Sequence, residues 1–296
     1  MGSEMCIRDR DTPIVRIAVN NIAIDLGDGM VTLSSGSGLF IRTDTGLAGR
    51  FSGDVALNVP GVTLEGALAF EINASGVAFD ETFRIGGQTI NLNVDAGVYV
   101  KVVGTGVTLA VGSIRVQGDF EITALTGVSG APELQVDIAN LSIGLGGTFE
   151  APLIGISVPT AQFRFLETGM LANLSGISAS INIPGVTLAG TLNLEINTST
   201  LSIDGIAAKA IRVFGEGIEF SMLGQSISGN FSFEPVYTIS GELIVKVAVT
   251  DLTAQFGGAD AGLRLTNGSG FFLLTANGMV ASVNATVQVL PTDSFR

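Results

Sequence analysis

Residues 58–73, NVPGVTLEGALAFEIN, return at 182–197 as NIPGVTLAGTLNLEIN, with 11 of the 16 positions identical. In the first copy Val62, Leu64, Leu68, Phe70 and Ile72 share one parity with Gly66, and Thr63, Glu65, Ala67, Ala69, Glu71 and Asn73 share the other. The second copy sets Val186, Leu188, Leu192, Leu194 and Ile196 against Thr187, Ala189, Thr191, Asn193, Glu195 and Asn197. Apolar and polar side chains alternating with period two belong to a β-strand packed on one face. A two-residue hairpin at Gly66 would flip the parity, because the residues flanking its turn share a face. The parity holds, so the stretch reads as one strand of about 11 residues. Gly66 and Gly190 then mark a bend, a bulge or a close backbone approach, and the Pro-Gly pairs at 60–61 and 184–185 are entry turns.

The rest of the 296-residue chain shares this character: 46% hydrophobic residues and 40 glycines, with Ser, Thr and Asn scattered among Val, Ile and Leu. That composition favours many strands joined by tight turns over an array of helices. Segments such as 202–212 could make one or two helical turns, which are marginal on their own, so at most one short helix is expected. There are 27 acidic residues against 14 basic, a net charge of -13, which opposes a phosphate-backbone partner and excludes nucleic acid. No apolar run approaches the roughly 20 residues of a spanning helix. A transmembrane barrel would carry aromatic girdles, whereas this chain has no Trp and only Tyr99 and Tyr237. No membrane span is therefore expected.

Counterparts of the flanking segments extend the repetition. The segment at 15–27 corresponds to 139–147 and to 250–259, and the segment at 31–49 corresponds to 162–173 and to 267–281. VTL stands at 31, 62, 107 and 186, with ISV at 156, IEF at 218 and LRL at 263 in equivalent places. The expected division is a leader at 1–10, a first repeat at 11–136, a second at 137–248 and a truncated third at 249–296. Leu290-Pro291 falls where Val59-Pro60 stands in the first copy, so a fragment of a longer array is expected. Nested repeats point to stacked units, each covering the exposed edge strand of its neighbour. The predicted fold is all-β with little or no helix: tandem repeats forming an elongated antiparallel β-sandwich or a solenoid-like stack.

The chemistry is limited by what is missing. There is no histidine, and the single cysteine, Cys6, lies in the leader, which removes Ser-His-Asp and Cys-His catalysis, imidazole-ligated metals and disulfides. Carboxylate pairs such as Glu65 with Glu71, or Glu219 with Glu234, follow the polar parity of strands and read as solvated faces. Asp25 and Asp28 in DLGDG are the best oxygen cluster for calcium. Their counterparts are Gly144 and Gly147, then Gln255 and Gly258, so the cluster does not recur and reads as a polar turn. The GSG runs at 36–38 and 268–270 lack the Lys and helix of a phosphate loop and read as turns. No catalytic, cofactor-binding or metal site is assigned, and no cofactor is expected. Phenylalanines such as Phe70, Phe120, Phe220, Phe231, Phe271 and Phe272 read as core, with a hydrophobic groove for lipid as the alternative.

VPGVTLxGxLxxEIN, GTGVTLxVG and GDFEI resemble tandem repeats of very large bacterial secreted or surface proteins of the adhesin-like kind. The run MCIRDR in the leader looks like the translation of a sequencing-adapter end, as in a metagenomic fragment, and 1–10 is set aside. The resemblance implies an extracellular or cell-surface stalk, spacer or adhesive array without catalytic activity. Its partners would be neighbouring repeats of the same chain and a cell-surface or matrix ligand. The metal-binding GGxGxD nonapeptide of calcium-dependent repeats is absent here. The alternative function is an apolar-ligand or lipid-binding β-structure with an open trough lined by Leu68, Phe70, Leu192 and Leu194.

Overall fold

A computed structural model describes residues 15–85, 88–126, 131–148, 150–222, 224–257 and 262–290. The leader at 1–10 with Cys6, the first residues of the first repeat, Pro291 and Gly258 lie outside the described residues. Among the described residues twenty strands run β1 (Val15–Leu26), β2 (Val31–Arg42), β3 (Leu47–Leu57), β4 (Val62–Glu65), β5 (Ala69–Gly76), β6 (Phe79–Ile85), β7 (Gln88–Val94), β8 (Gly97–Val111), β9 (Ile114–Thr126) and β10 (Pro132–Gly147). They continue through β11 (Pro152–Leu166), β12 (Gly169–Ile177), β13 (Ala179–Ile181), β14 (Val186–Ala189), β15 (Leu192–Asn197), β16 (Ile211–Met222), β17 (Gln225–Tyr237), β18 (Leu243–Gly257), β19 (Gly262–Thr275) and β20 (Gly278–Leu290). The protein is all-β, as the alternation predicts: among the described residues 18 strands are hydrogen-bonded in one antiparallel sheet, and β6 and β7 form a separate hairpin. The window 202–212 holds turns, an isolated bridge between Ile203 and Ile206, and the start of β16. Among the described residues no helix is long and apolar enough to cross a membrane.

The chain divides into two compact units, one from Met1–Thr108, Gly118–Ala139 and Gln162–Met170, the other from Leu109–Gln117, Asn140–Ala161 and Leu171–Arg296. In the first, β1, β2 and β3 form a meander, β3 pairs with β5, and β5 with β8. The β6–β7 hairpin packs Phe83, Leu92 and Val94 against Leu39, Ile41 and Ala48 of β2 and β3. In the second, β12 pairs with β15, β15 with β16, and the meander continues through β17, β18, β19 and β20. Its core is aromatic: the Phe231 ring lies 4.9 Å from Phe220, 6.5 Å from Phe233 and 6.2 Å from Phe272, the spacing of offset or edge-on pairs.

The strand expected over 62–72 is in fact two, β4 and β5, and its counterpart is β14 and β15. The backbone breaks at Gly66 (φ +142°) and Gly190 (φ +120°), where an L side chain is strained. A Cβ on Gly66 would stand 3.2 Å from the Val107 Cα, so the close approach is real. Both halves of the second copy still pair with β16, Val186 to Met222 and Ile196 to Ile211, so the break is a bulge along one path. The entry turns form as read, with Val62 N–H donating to the Val59 carbonyl at 3.2 Å and Val186 N–H to the Ile183 carbonyl at 3.1 Å.

A second departure concerns the long strands, many of which carry an extra residue near the middle. Between β1 and β2 the pairing runs Asn20 with Ser37, then Ile22 with Gly36, leaving Asn21 as the insertion. Asn21 (φ 58°), Asn140 (φ 54°) and Asp251 (φ 52°) occupy matched places on β1, β10 and β18, all in the left-handed region that Asn and Asp tolerate. Each insertion shifts the parity, and so keeps apolar residues on one face: Leu134, Val136 and Ile138 are buried before Asn140, and Leu141, Ile143 and Leu145 after it. The GSG runs at 36–38 and 268–270 belong to this device. They lie inside β2 and β19, where the expectation placed turns. Their glycines are sterically required, since a Cβ on Gly38 would meet the Arg50 carbonyl oxygen at 2.1 Å.

Candidate functional site

The shared tripeptide Glu-Ile-Asn supplies the polar features of the fold. Asn73 and Asn197 are fully buried. The Asn73 side-chain amide donates to the carbonyls of Val77 (2.8 Å) and Asp95 (2.7 Å), while its oxygen accepts from Ser75 N–H and Oγ–H. Asn197 donates to Leu201 (2.9 Å) and Ile206 (3.0 Å) and accepts from Ser199 N–H and Oγ–H. Each amide thus satisfies backbone groups of the connection that follows it, which burial would otherwise leave unpaired.

The glutamate two residues earlier sits in a ladder of charge. Strand register places Arg50 of β3 opposite Glu71 of β5, and Glu71 opposite Lys101 of β8. Arg50 contacts Glu71 at 2.6 Å, and the Lys101 ammonium lies 3.7 Å from Glu71, 3.0 Å from Glu121 and 3.4 Å from Asp95. Lys101 also stands 4.6 Å over the Tyr99 ring. Glu71 and Lys101 are buried. The expectation of a solvated face at Glu71 is therefore corrected: parity placed it on the right side of the strand, but other parts of the fold cover that side.

Burial pushes the Glu71 carboxyl above its ordinary range, against the pull of Arg50 and Lys101. Burial alone would lower Lys101, but its hydrogen bond to Glu121 and the charges of Glu121 and Glu71 outweigh this, and its pKa is raised. Burial likewise raises Tyr99. An ammonium held this firmly in its charged form is a poor nucleophile or base, because those roles need a lysine pKa brought down toward neutrality. The cluster has the chemistry of a cross-strand brace. In the second copy Glu195 pairs with Arg212 at 2.6 Å on a more open face, and Glu234 meets Lys246 at 3.5 Å near the surface.

The other residues weighed for chemistry remain apart. Glu65 is exposed at the end of β4 and Glu219 is exposed on β16. Asp25 accepts the Gly29 N–H at 2.7 Å and so closes the turn between β1 and β2. Among the described residues no group of three or more potential ligands gathers for a metal ion. Leu68, Phe70, Leu192 and Leu194, the residues expected to line an open trough, are all buried. An apolar cleft is lined by Phe220, Ile227, Val247, Phe272, Leu274 and Met279. Sequence reasoning passed over Asn73, Asn197 and Lys101. The signal for the asparagines was available, in the identity of EIN between copies whose following connections differ.

No protein-family model, no curated protein and no solved structure matches the chain.

Proposed function

We propose that this chain is a structural segment of a repeated β-array, a stalk or spacer of an extracellular or cell-surface bacterial protein, with no catalytic role. The observation that carries the reading is repetition of backbone conformation along with sequence. Gly61 and Gly185 share φ near +75° (75° and 74°), and Gly106 and Gly217 have 63° and 60°. Gly46, Gly169 and Gly278 open three successive counterpart strands at 154°, 151° and 139°. A repeated unit whose neighbours cover its edges suits reach and presentation. The charged groups that are buried are consumed in bracing strands, which supports a structural role over a chemical one.

The test is to insert one further copy of the unit in frame and measure small-angle scattering. An array gains maximum dimension with each unit while its circular dichroism stays that of a β-protein. A lengthened chain of unchanged maximum dimension would overturn the reading.

A further inference from the structure

Resting on the array reading, we propose that the free edge of β20 is a seat for an added strand of the β14–β15 sequence type, V-T-L-x-G-x-L-x-x-E-I-N, from a further repeat. The argument starts from three counterpart strands. Gly46-Leu47-Ala48 opens β3, Gly169-Met170-Leu171-Ala172 opens β12, and Gly278-Met279-Val280-Ala281 opens β20. β3 is covered by β5, with Arg50 opposite Glu71 and Phe51 opposite Phe70. β12 is covered by β15, with Asn173 opposite Glu195 and Leu174 opposite Leu194. Among the described residues the only strand registered against β20 is β19.

The missing neighbour shows in the side chains. Ala48 and Leu171 are 0% and 4% exposed, and Val280 in the same place is 68% exposed. Phe51 is 1% exposed against 39% for its counterpart Val283, and Val287 and Val289 further along β20 are 59% and 73% exposed. The cleft lined by Phe272, Leu274 and Met279 lies at this same margin. Phe272 and Leu274 are buried, as are their counterparts Phe163 and Phe165, whereas Met279 is partly exposed where its counterpart Met170 is fully buried. The incoming strand would set the residue before its glutamate, and its isoleucine, over this cleft, as Leu194 and Ile196 stand opposite Leu174 and Ala172. Its glutamate would face Ser282, which stands where Arg50 and Asn173 meet Glu71 and Glu195.

Edge strands that must stay single carry charges or proline to repel partners. β20, GMVASVNATVQVL, has none of either. β1, which pairs with β2, carries Arg16 and Asp25. An uncharged edge with alternating valines is built for strand addition, in which main-chain hydrogen bonds give affinity and side-chain pockets give register.

The experiment adds a synthetic peptide with the sequence of residues 186–197 to the full chain and follows amide hydrogen exchange by mass spectrometry. The expected result is exchange at least about tenfold slower over 278–290 and unchanged elsewhere. A scrambled peptide should give no such protection. In Val280→Lys/Val283→Lys the protection should vanish, while circular dichroism and urea unfolding of the rest of the sheet stay as in the parent. Equal protection by the scrambled peptide, or none by the native one, overturns the proposal. So does protection that rises with protein concentration without peptide, since a second copy would then hold the seat. If the lengthened chain extends in scattering yet its 278–290 amides exchange as before, this proposal falls and the array reading stands.

Discussion

The two copies of Glu-Ile-Asn lead into different connections. After Asn73 the chain builds the β6–β7 hairpin before entering β8; after Asn197 it makes a few turns around the Ile203–Ile206 bridge and enters β16. The asparagine does the same work in both places, holding two carbonyls of whatever follows. The glutamate does not. In the first copy Glu71 and its partner Lys101 have side chains only 6% and 8% exposed, whereas Arg212, the counterpart of Lys101, is 55% exposed. One local sequence thus yields a hub that is independent of context and an ion pair whose strength depends on it.

The largest expected effect breaks the pair where it is buried. Lys101→Met leaves Glu71 in its low-dielectric site with the half-exposed Arg50 alone, and removing one partner of a buried pair costs about 3 kcal/mol or more. Urea denaturation of the full chain measures it. The same comparison has a pH signature. The raised Lys101 pKa means that the folded state holds this proton more tightly than the unfolded state. Its contribution is therefore complete below the ordinary lysine value of 10.5 and is lost as pH rises through the higher folded value. The raised Tyr99 pKa acts with the same sign. The stability gap between parent and Lys101→Met should stay constant from neutrality to about pH 10 and narrow above it. A gap that closes at acid pH instead would make Glu71 the governing group.

Asn73→Ala and Asn197→Ala come next. Each deletes two buried donors and strands two carbonyls, which costs about 2 kcal/mol. The expectation is that the two losses agree closely by thermal or urea unfolding, since the hubs share their bonding while their loops differ. A large inequality would mean that the hairpin, through its own packing on Leu39, Ile41 and Ala48, stabilises the first connection without help from Asn73.

Gly66→Ala and Gly190→Ala test the bulge that both copies share. Forcing an alanine to the positive φ found there costs about 1–3 kcal/mol. At Gly190 the new Cβ would also press on the Ile218 Cδ1 at 2.7 Å, a side-chain end that can swing aside, so the two costs should remain comparable. Comparable losses in urea unfolding support equivalent bulges, and a neutral Gly66→Ala would show that β4 and β5 can run on as one strand.

How far such features can be read from sequence follows the range of the forces involved. Strand parity, the Pro-Gly entry turns and the interruption at Gly66 and Gly190 are local, set by period-two burial and by φ, and they stood in the repeated stretch itself. The mid-strand insertions at Asn21, Asn140 and Asp251 were not legible, because Asn, Asp and Gly in a bulge look the same as in a turn. Hence GSG at 36–38 was read as a turn. The burial of Glu71 was hidden for a different reason: polar parity tells which side a residue faces, and nothing near Glu71 in sequence tells what covers that side. Alternation likewise assigned Asn73 to solvent, and only the identity of EIN between copies with different connections pointed to its hub.

The smallest expected effect closes the comparison. Arg212→Met removes a short contact to Glu195, 2.6 Å from the guanidinium, and a guanidinium that sits 4.9 Å over the Phe214 ring. Distance alone would make this the stronger pair, for it is shorter than the 3.7 Å between Lys101 and Glu71. Solvent decides otherwise. A guanidinium more than half exposed gives up little hydration on pairing and leaves little unpaid when removed, so the loss should be about 0.5–1 kcal/mol. It should also shrink further as salt is raised from low ionic strength to about 1 M, where the screening length falls to roughly 3 Å, while the Lys101→Met penalty should hardly move. If the two penalties instead match in size and salt dependence, shared register rather than burial sets the strength of the ladder, and the contrast between the two copies disappears.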